Sequence, residues 1–300
     1  MKATTLEAEQ IMYQQAPAVP VRETPAESYY ETRFEATCGT IWLELSSRGP
    51  AKFTRPLVQS LRAFQVDLES RIRAEIERSG ESSIKYQVIA SRVPGIFSLG
   101  GDLGYFREMI DKGDRGGLRA YARDCVDLVF SSATHGNLPL TTISLVQGSA
   151  LGGGFEAALA NNVVVAERGC KMGLPEIMFN MFPGMGAYQL LCRRLPPAQA
   201  ERFILSGRTY SAEELHDMGL VDVLAEPGGG EEAVWDYIRS AHDKLHGRNA
   251  MRRAIQASDP LRYEDFEQII DIWVEAAFGL SEKDLKTMEF LVRAQQRMRH

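Results

Sequence analysis

The chain has 300 residues, 44% of them hydrophobic and 25% charged, with a net charge of −6, which is enough for one large α/β core and a helical addition. No apolar run approaches the ~18 residues of a membrane span, the N-terminus lacks the basic-then-apolar pattern of a secretory signal, and the mixed charge argues against a phosphate-binding surface. A cytoplasmic protein with no membrane span and no nucleic-acid partner is expected.

Residues 1–30 carry Pro17, Pro20 and Pro25 among polar residues without sustained periodicity and read as a flexible arm. Residues 39–45 alternate, with Ile41, Leu43 and Leu45 on one side and Trp42 and Glu44 on the other, as in a half-buried strand. From Pro56 to Ile76, Leu57, Leu61, Phe64, Leu68, Ile72 and Ile76 recur every three or four residues, which predicts a long amphipathic helix. A turn at Gly80 leads to a strand over 86–90. Further on, the pattern predicts helix 117–130, strand 141–146, helix 153–160, strand 163–166 and helices 197–205 and 211–218. The last of these opens on a capping signature, Ser211 with Glu214. After the turn at 228–230 only helices are expected, with Arg293, Arg297 and Arg299 on a solvated face. The division is thus an arm over 1–30, an α/β core over 31–225 and a helical region over 226–300.

Cys38, Cys125, Cys170 and Cys192 are far apart, with no CxxC pair and no histidine at ligand spacing, so free thiols and no metal are expected. Two glycine turns each follow a strand and introduce a helix: Phe97-Ser98-Leu99-Gly100-Gly101-Asp102-Leu103 and Gly148-Ser149-Ala150-Leu151-Gly152-Gly153-Gly154-Phe155-Glu156. Glycines there permit positive φ and let backbone amides reach a ligand. Neither turn ends in the Lys-Ser/Thr of a P-loop or spells a dinucleotide fingerprint. Glu156 lies one helical turn into the second turn's helix, and Glu176 follows in Gly173-Leu174-Pro175-Glu176-Ile177. Either glutamate alone would read as an acid stabilising a helix start.

Together, the stretches 97–103, 148–156 and 173–186 resemble the signature blocks of the enoyl-CoA hydratase/isomerase, or crotonase, superfamily, in order and spacing over about residues 38–225. The resemblance implies a crotonase ββα spiral core with a C-terminal helical region, commonly assembled as a trimer or a dimer of trimers. It implies that the amides of Gly101 and Gly153 form an oxyanion hole and that Glu156 and Glu176 are the paired acid and base. Removing a proton α to a thioester creates an enolate whose charge fixed donors must meet, and two acids facing one ligand push their pKa values apart.

The run Glu167-Arg168-Gly169-Cys170-Lys171-Met172-Gly173, with Phe179-Asn180-Met181-Phe182-Pro183-Gly184-Met185-Gly186-Ala187-Tyr188 and the tail Asp271-Ile272-Trp273, is similar to the diffusible signal factor synthases. That resemblance implies dehydration of a 3-hydroxyacyl chain on acyl carrier protein to the cis-2-enoyl thioester, then hydrolysis to a free acid used in quorum sensing. It also implies association with a sensor protein of the same pathway. No cofactor is expected beyond the phosphopantetheine of acyl carrier protein, or CoA, that carries the substrate. Gly100, Leu151, Gly152, Met185 and Trp273 are the expected pocket residues. Arg92 is the one basic residue near the first turn able to meet CoA phosphates. His135, His216, His242 and His246 are scattered, so no nucleophilic triad is expected. The alternatives are an enoyl-CoA hydratase or isomerase of fatty-acid metabolism, or a non-catalytic protein that binds fatty acid or a sensor.

Overall fold

The computed structural model describes residues 29–297; the expected arm lies, up to residue 28, outside them. Ten strands and eleven α-helices occur among the described residues. Strands β1 (Tyr30–Glu35), β2 (Thr40–Leu45), β3 (Tyr86–Ser91), β5 (Thr141–Val146), β7 (Val163–Glu167) and β10 (Val223–Ala225) make a six-stranded sheet in the order β1-β2-β3-β5-β7-β10. Only β1 runs antiparallel to its neighbour. The short strands β4 (Ile96–Ser98), β6 (Ser149–Leu151), β8 (Lys171–Gly173) and β9 (Thr209–Ser211) make a second sheet in that order. The expected crotonase-type α/β architecture is therefore present.

Between the strands run α1 (Arg55–Ser79), α2 (Leu103–Asp111), α3 (Arg115–Thr134), α4 (Gly153–Leu159), α5 (Ala187–Cys192), α6 (Pro197–Ser206) and α7 (Ala212–Asp217). Four helices close the described chain: α8 (Gly230–His242), α9 (Leu245–Ser258), α10 (Tyr263–Phe278) and α11 (Glu282–Arg297). The capping box of α7 forms as its sequence predicts, with Glu214 N–H donating to Ser211 Oγ and Ser211 N–H to Glu214 Oε2.

α1 buries Leu57, Val58, Leu61, Leu68 and Ile72. At about 2 kcal/mol for each large aliphatic side chain, that face contributes on the order of 10 kcal/mol before the entropy of ordering the helix is counted. Gln65 interrupts the apolar stripe, but its amide donates to Leu128 O at 3.1 Å and Ser132 Oγ at 2.8 Å, so the polar group is satisfied against α3.

The reading of β2 as half-buried needs correction. Leu43 and Leu45 join the core beneath α1 and α3, whereas Trp42 joins Tyr86, Val88, Ile143 and Val165 beneath Val234 and Ile238 of α8. Parallel strands with helices over both faces are buried on both, and the indole of Trp42, with the Arg33 guanidinium 4.2 Å from its centroid, serves the second face.

Candidate active site

The two glycine turns meet at the carboxyl ends of β4 and β6. Gly100 takes φ +88°, and a Cβ there would lie 2.6 Å from Leu151 O and 3.0 Å from Gly153 N, so only glycine lets the turns touch. Gly100 O accepts from Phe53 N–H at 2.8 Å, which fixes the first turn from behind. Among the described residues, the N–H groups of Gly101 and Gly153 have no acceptor, and both residues line one cavity. For Gly153, the first residue of α4, this follows from helix geometry, because a first-turn amide has no carbonyl one turn back within the helix. Two unoccupied donors facing the same space can hold one developing oxyanion.

Glu156 and Glu176 line the same cavity. Glu156, in the first turn of α4, is 1% exposed, and its Oε1 accepts from Met185 N–H at 2.8 Å and Ala187 N–H at 3.0 Å. These bonds tie α4 to the loop entering α5 and fix the carboxylate. Glu176 opens a single 3-10 turn (Glu176–Phe179) after Pro175. Its Oε2 is buried without a partner, and Gly152 makes room for its Oε1, since a Cβ at Gly152 would come within 2.4 Å. Gly152 also takes φ +53°, ψ −128°, so glycine is required on two counts. Burial raises both carboxyl pKa values above the ordinary range; for Glu156 the charge of Glu176 adds to the rise, and the two backbone N–H groups oppose it. Two desolvated carboxyls beside each other shed their protons one after the other, so near neutral pH one can take a proton while the other gives one.

The cavity has a volume of about 70 Å³ and is mostly apolar, walled by Leu103, Phe106, Phe179, Met181, Met185 and Trp273. Of the expected pocket residues, Met185 and Trp273 line it. Leu151 does not: its side chain packs with Ala51, Val93, Ile96 and Leu99 on the far side of β6. Gly100 and Gly152 do not form its wall either; they shape the backbone of the two turns. Trp273 on α10 reaches in over Phe106, with centroids 4.8 Å apart, while its Nε1–H donates to Phe182 O at 3.1 Å. Arg92 is committed to Glu44 at 2.6 Å.

Sequence reading missed Phe106, Tyr121, Cys125, Phe179 and Met181 as lining residues. The i, i+4 spacing of Tyr121 and Cys125 marks one face of α3, but that spacing alone is also what a core helix shows. α2 is the helix expected after the first glycine turn, though its sequence pattern gave it no range, and Asp102 caps it by accepting from Tyr105 N–H at 3.2 Å. The four cysteines are free, and no group of side chains able to hold a metal occurs among the described residues. Among the described residues, no helix is long and apolar enough to cross a membrane.

Two amides and two buried carboxyls thus surround an apolar cavity between the glycine turns, an arrangement able to hold an oxyanion beside a proton-transferring pair. The family model for enoyl-CoA hydratase/isomerase matches residues 52–259, and the chain belongs to that family. It is 34% identical over 176 residues to the mitochondrial methylglutaconyl-CoA hydratase of Rattus norvegicus, a match covering 58% of this chain and 54% of that one. The chain thus spans about half the length of the curated methylglutaconyl-CoA hydratases it matches. Among solved structures, it resembles an enoyl-CoA hydratase from Bacillus halodurans at a TM-score of 0.73 and 21% identity, covering 87% of this chain and 99% of that one. It also resembles Pseudomonas aeruginosa DspI at a TM-score of 0.65 and 22% identity, covering 83% and 90%. These last two likenesses bear on the fold alone.

Proposed function

We propose that this protein dehydrates a 3-hydroxyacyl thioester carried on acyl carrier protein to the cis-2-enoyl thioester and then hydrolyses it, releasing the free cis-2-unsaturated acid as a diffusible signal factor synthase does. The observation that carries the catalytic part is the convergence of Glu156 and Glu176 on a cavity into which the Gly101 and Gly153 amides open. The acyl-carrier and cis-2 parts rest on the sequence resemblance.

In this reading the thioester oxygen accepts from both amides, and one ionised glutamate removes the C2 proton. The C2–H pair becomes the new double bond as the C3 hydroxyl leaves, protonated by the second glutamate, and departs as water. The amides stabilise the enolate, an effect worth ~3–4 kcal/mol for one donor in the best-measured holes. For hydrolysis, a glutamate deprotonates water that attacks the thioester carbon, the same amides hold the tetrahedral oxyanion, and the phosphopantetheine thiol leaves with a proton. Acyl carrier protein, a sensor of the same pathway, trimeric or hexameric assembly and a cytoplasmic site of action belong to this proposal.

The second reading is an enoyl-CoA hydratase, favoured by the named activity of the methylglutaconyl-CoA relatives. Incubation with 3-hydroxydodecanoyl thioesters of acyl carrier protein and of CoA, with products read by mass spectrometry, separates the two. The proposal expects free cis-2-dodecenoic acid, formed faster from the carrier-protein ester. Turnover of the CoA ester alone, stopping at the hydration equilibrium, would establish the second reading.

A further inference from the structure

Within that reading, the amide of Gly101 is useful only if it points at a fixed place, and Gly101 is held by a single parallel bridge to Phe53 rather than by a strand ladder. Phe53 supplies the frame on both sides. Its N–H donates to Gly100 O at 2.8 Å, and its carbonyl accepts from the hydroxyl of Tyr121 at 2.7 Å. The same hydroxyl accepts from Asp102 N–H at 2.9 Å. The peptides before and after Gly101 are thereby both referred to Phe53, one directly and one through a single phenol on α3. The Asp102 carboxylate adds a second hold, pairing with Lys52 Nζ at 2.6 Å while it caps α2.

We infer that Tyr121 is a positioning residue of the oxyanion hole, its hydroxyl fixing the direction of the Gly101 amide. The geometry distinguishes this role from acid–base chemistry. Tyr121 is 4% exposed, its ring forms part of the cavity wall, and its one proton and one of its lone pairs are already given to backbone groups. Burial raises the phenol pKa well above its ordinary value, so the hydroxyl remains a donor throughout the working pH range. A Cβ on Gly101 would stand 3.4 Å from that hydroxyl, so the phenol also abuts the turn. Without the hydroxyl, the part-buried Asp102 N–H and Phe53 O lose the partner that holds them at 2.9 and 2.7 Å and keep only the isolated bridge between Phe53 and Gly101, so the turn is held less firmly.

The test compares wild type with Tyr121→Phe, which keeps the ring and its contact with Tyr105. A dodecanoyl-pantetheine analogue with CH2 in place of the thioester sulfur and a 13C-labelled carbonyl is bound, and its carbonyl stretch is read by isotope-edited infrared spectroscopy. Wild type is expected to lower the frequency and Tyr121→Phe to lose most of that shift. The variant's kcat on 3-hydroxydodecanoyl-pantetheine is expected to fall roughly 10- to 100-fold, short of the loss of a whole donor, with KM within about threefold. An equal shift in both proteins overturns the inference while leaving the oxyanion hole intact. No shift in wild type overturns the oxyanion-hole reading itself and this inference with it. Amide hydrogen exchange in the wild type needs no variant: Asp102 N–H is expected to exchange slowly in the free protein, with Gly101 N–H protected only after the analogue binds. An Asp102 amide that exchanges as fast as Gly101 would refute the anchoring.

Discussion

Replacing Glu176 by glutamine removes a group that burial makes costly to ionise, so it should stabilise the fold at high pH while abolishing chemistry. Burial lifts the Glu176 carboxyl from an ordinary 4.5 to about 7. Because the folded value lies above the unfolded one, the folded protein keeps a proton that the unfolded chain has released. The associated stability is full below pH 4.5 and is lost as the pH rises through about 7. The rise corresponds to about 3 kcal/mol at pH 8.5 and less than about 1 kcal/mol at pH 5. Glutamine also leaves a polar atom where Oε2 has no partner, but that cost is the same at both pH values and cancels in the comparison. At roughly 2 °C per kcal/mol for a chain of this size, the variant should gain about 5 °C in Tm relative to wild type between pH 5 and pH 8.5. Thermal unfolding followed by circular dichroism at the two pH values measures this directly. Parallel pH dependence in the two proteins would show that Glu176 is not held in a desolvated site.

Further outcomes follow from the same geometry. kcat should trace a bell against pH, with an acid limb where the second carboxyl protonates and an alkaline limb where the shared proton is lost; a flat profile between pH 5 and 9 would contradict the paired-acid account. Gly152→Ala should cost at least about 100-fold in kcat, because its Cβ meets Glu176 Oε1 and its backbone sits at positive φ; steady-state kinetics on correctly folded protein checks it. Trp273→Ala opens the apolar end of a cavity of only about 70 Å³ and should shift preference toward longer acyl chains, read from kcat/KM across a chain-length series. An unchanged preference would place the tail elsewhere.

Much of the fold was legible because the long elements carry their own periodicity. β5 runs over Thr141–Val146 as its β-branched pattern predicts, and the helix expected over 56–76 extends only from Arg55 to Ser79, ended by Gly80 at φ +82°. Three-residue strands such as β4, β6 and β8 are too short to show a period, and β1 is a polar edge strand with no continuous buried face. α2 was expected only as the helix that the first glycine turn introduces, without a range, because its cap, Asp102, doubles as part of that turn. At the site, both glutamates and both amides were expected only through the resemblance of the stretches 97–103, 148–156 and 173–186 to known signature blocks, since either glutamate alone reads as an acid at a helix start. Leu151 was misplaced because alternation within a three-residue strand does not reveal which face meets the cavity. Tyr121, on α3 and nineteen residues beyond Asp102, becomes visible only when tertiary packing brings its hydroxyl to the turn.

The most direct test of the central claim, that Glu156 and Glu176 divide proton removal and proton donation at one thioester, is deuterium exchange at C2. A 3-hydroxydodecanoyl thioester is incubated in D2O with wild type, Glu156→Gln and Glu176→Gln, and both C2 deuterium and enoyl product are read by mass spectrometry. The account predicts exchange and product with wild type, product lost in both variants, and exchange lost in one of them, which identifies the base. Dehydration within about tenfold of wild type in either variant would contradict it.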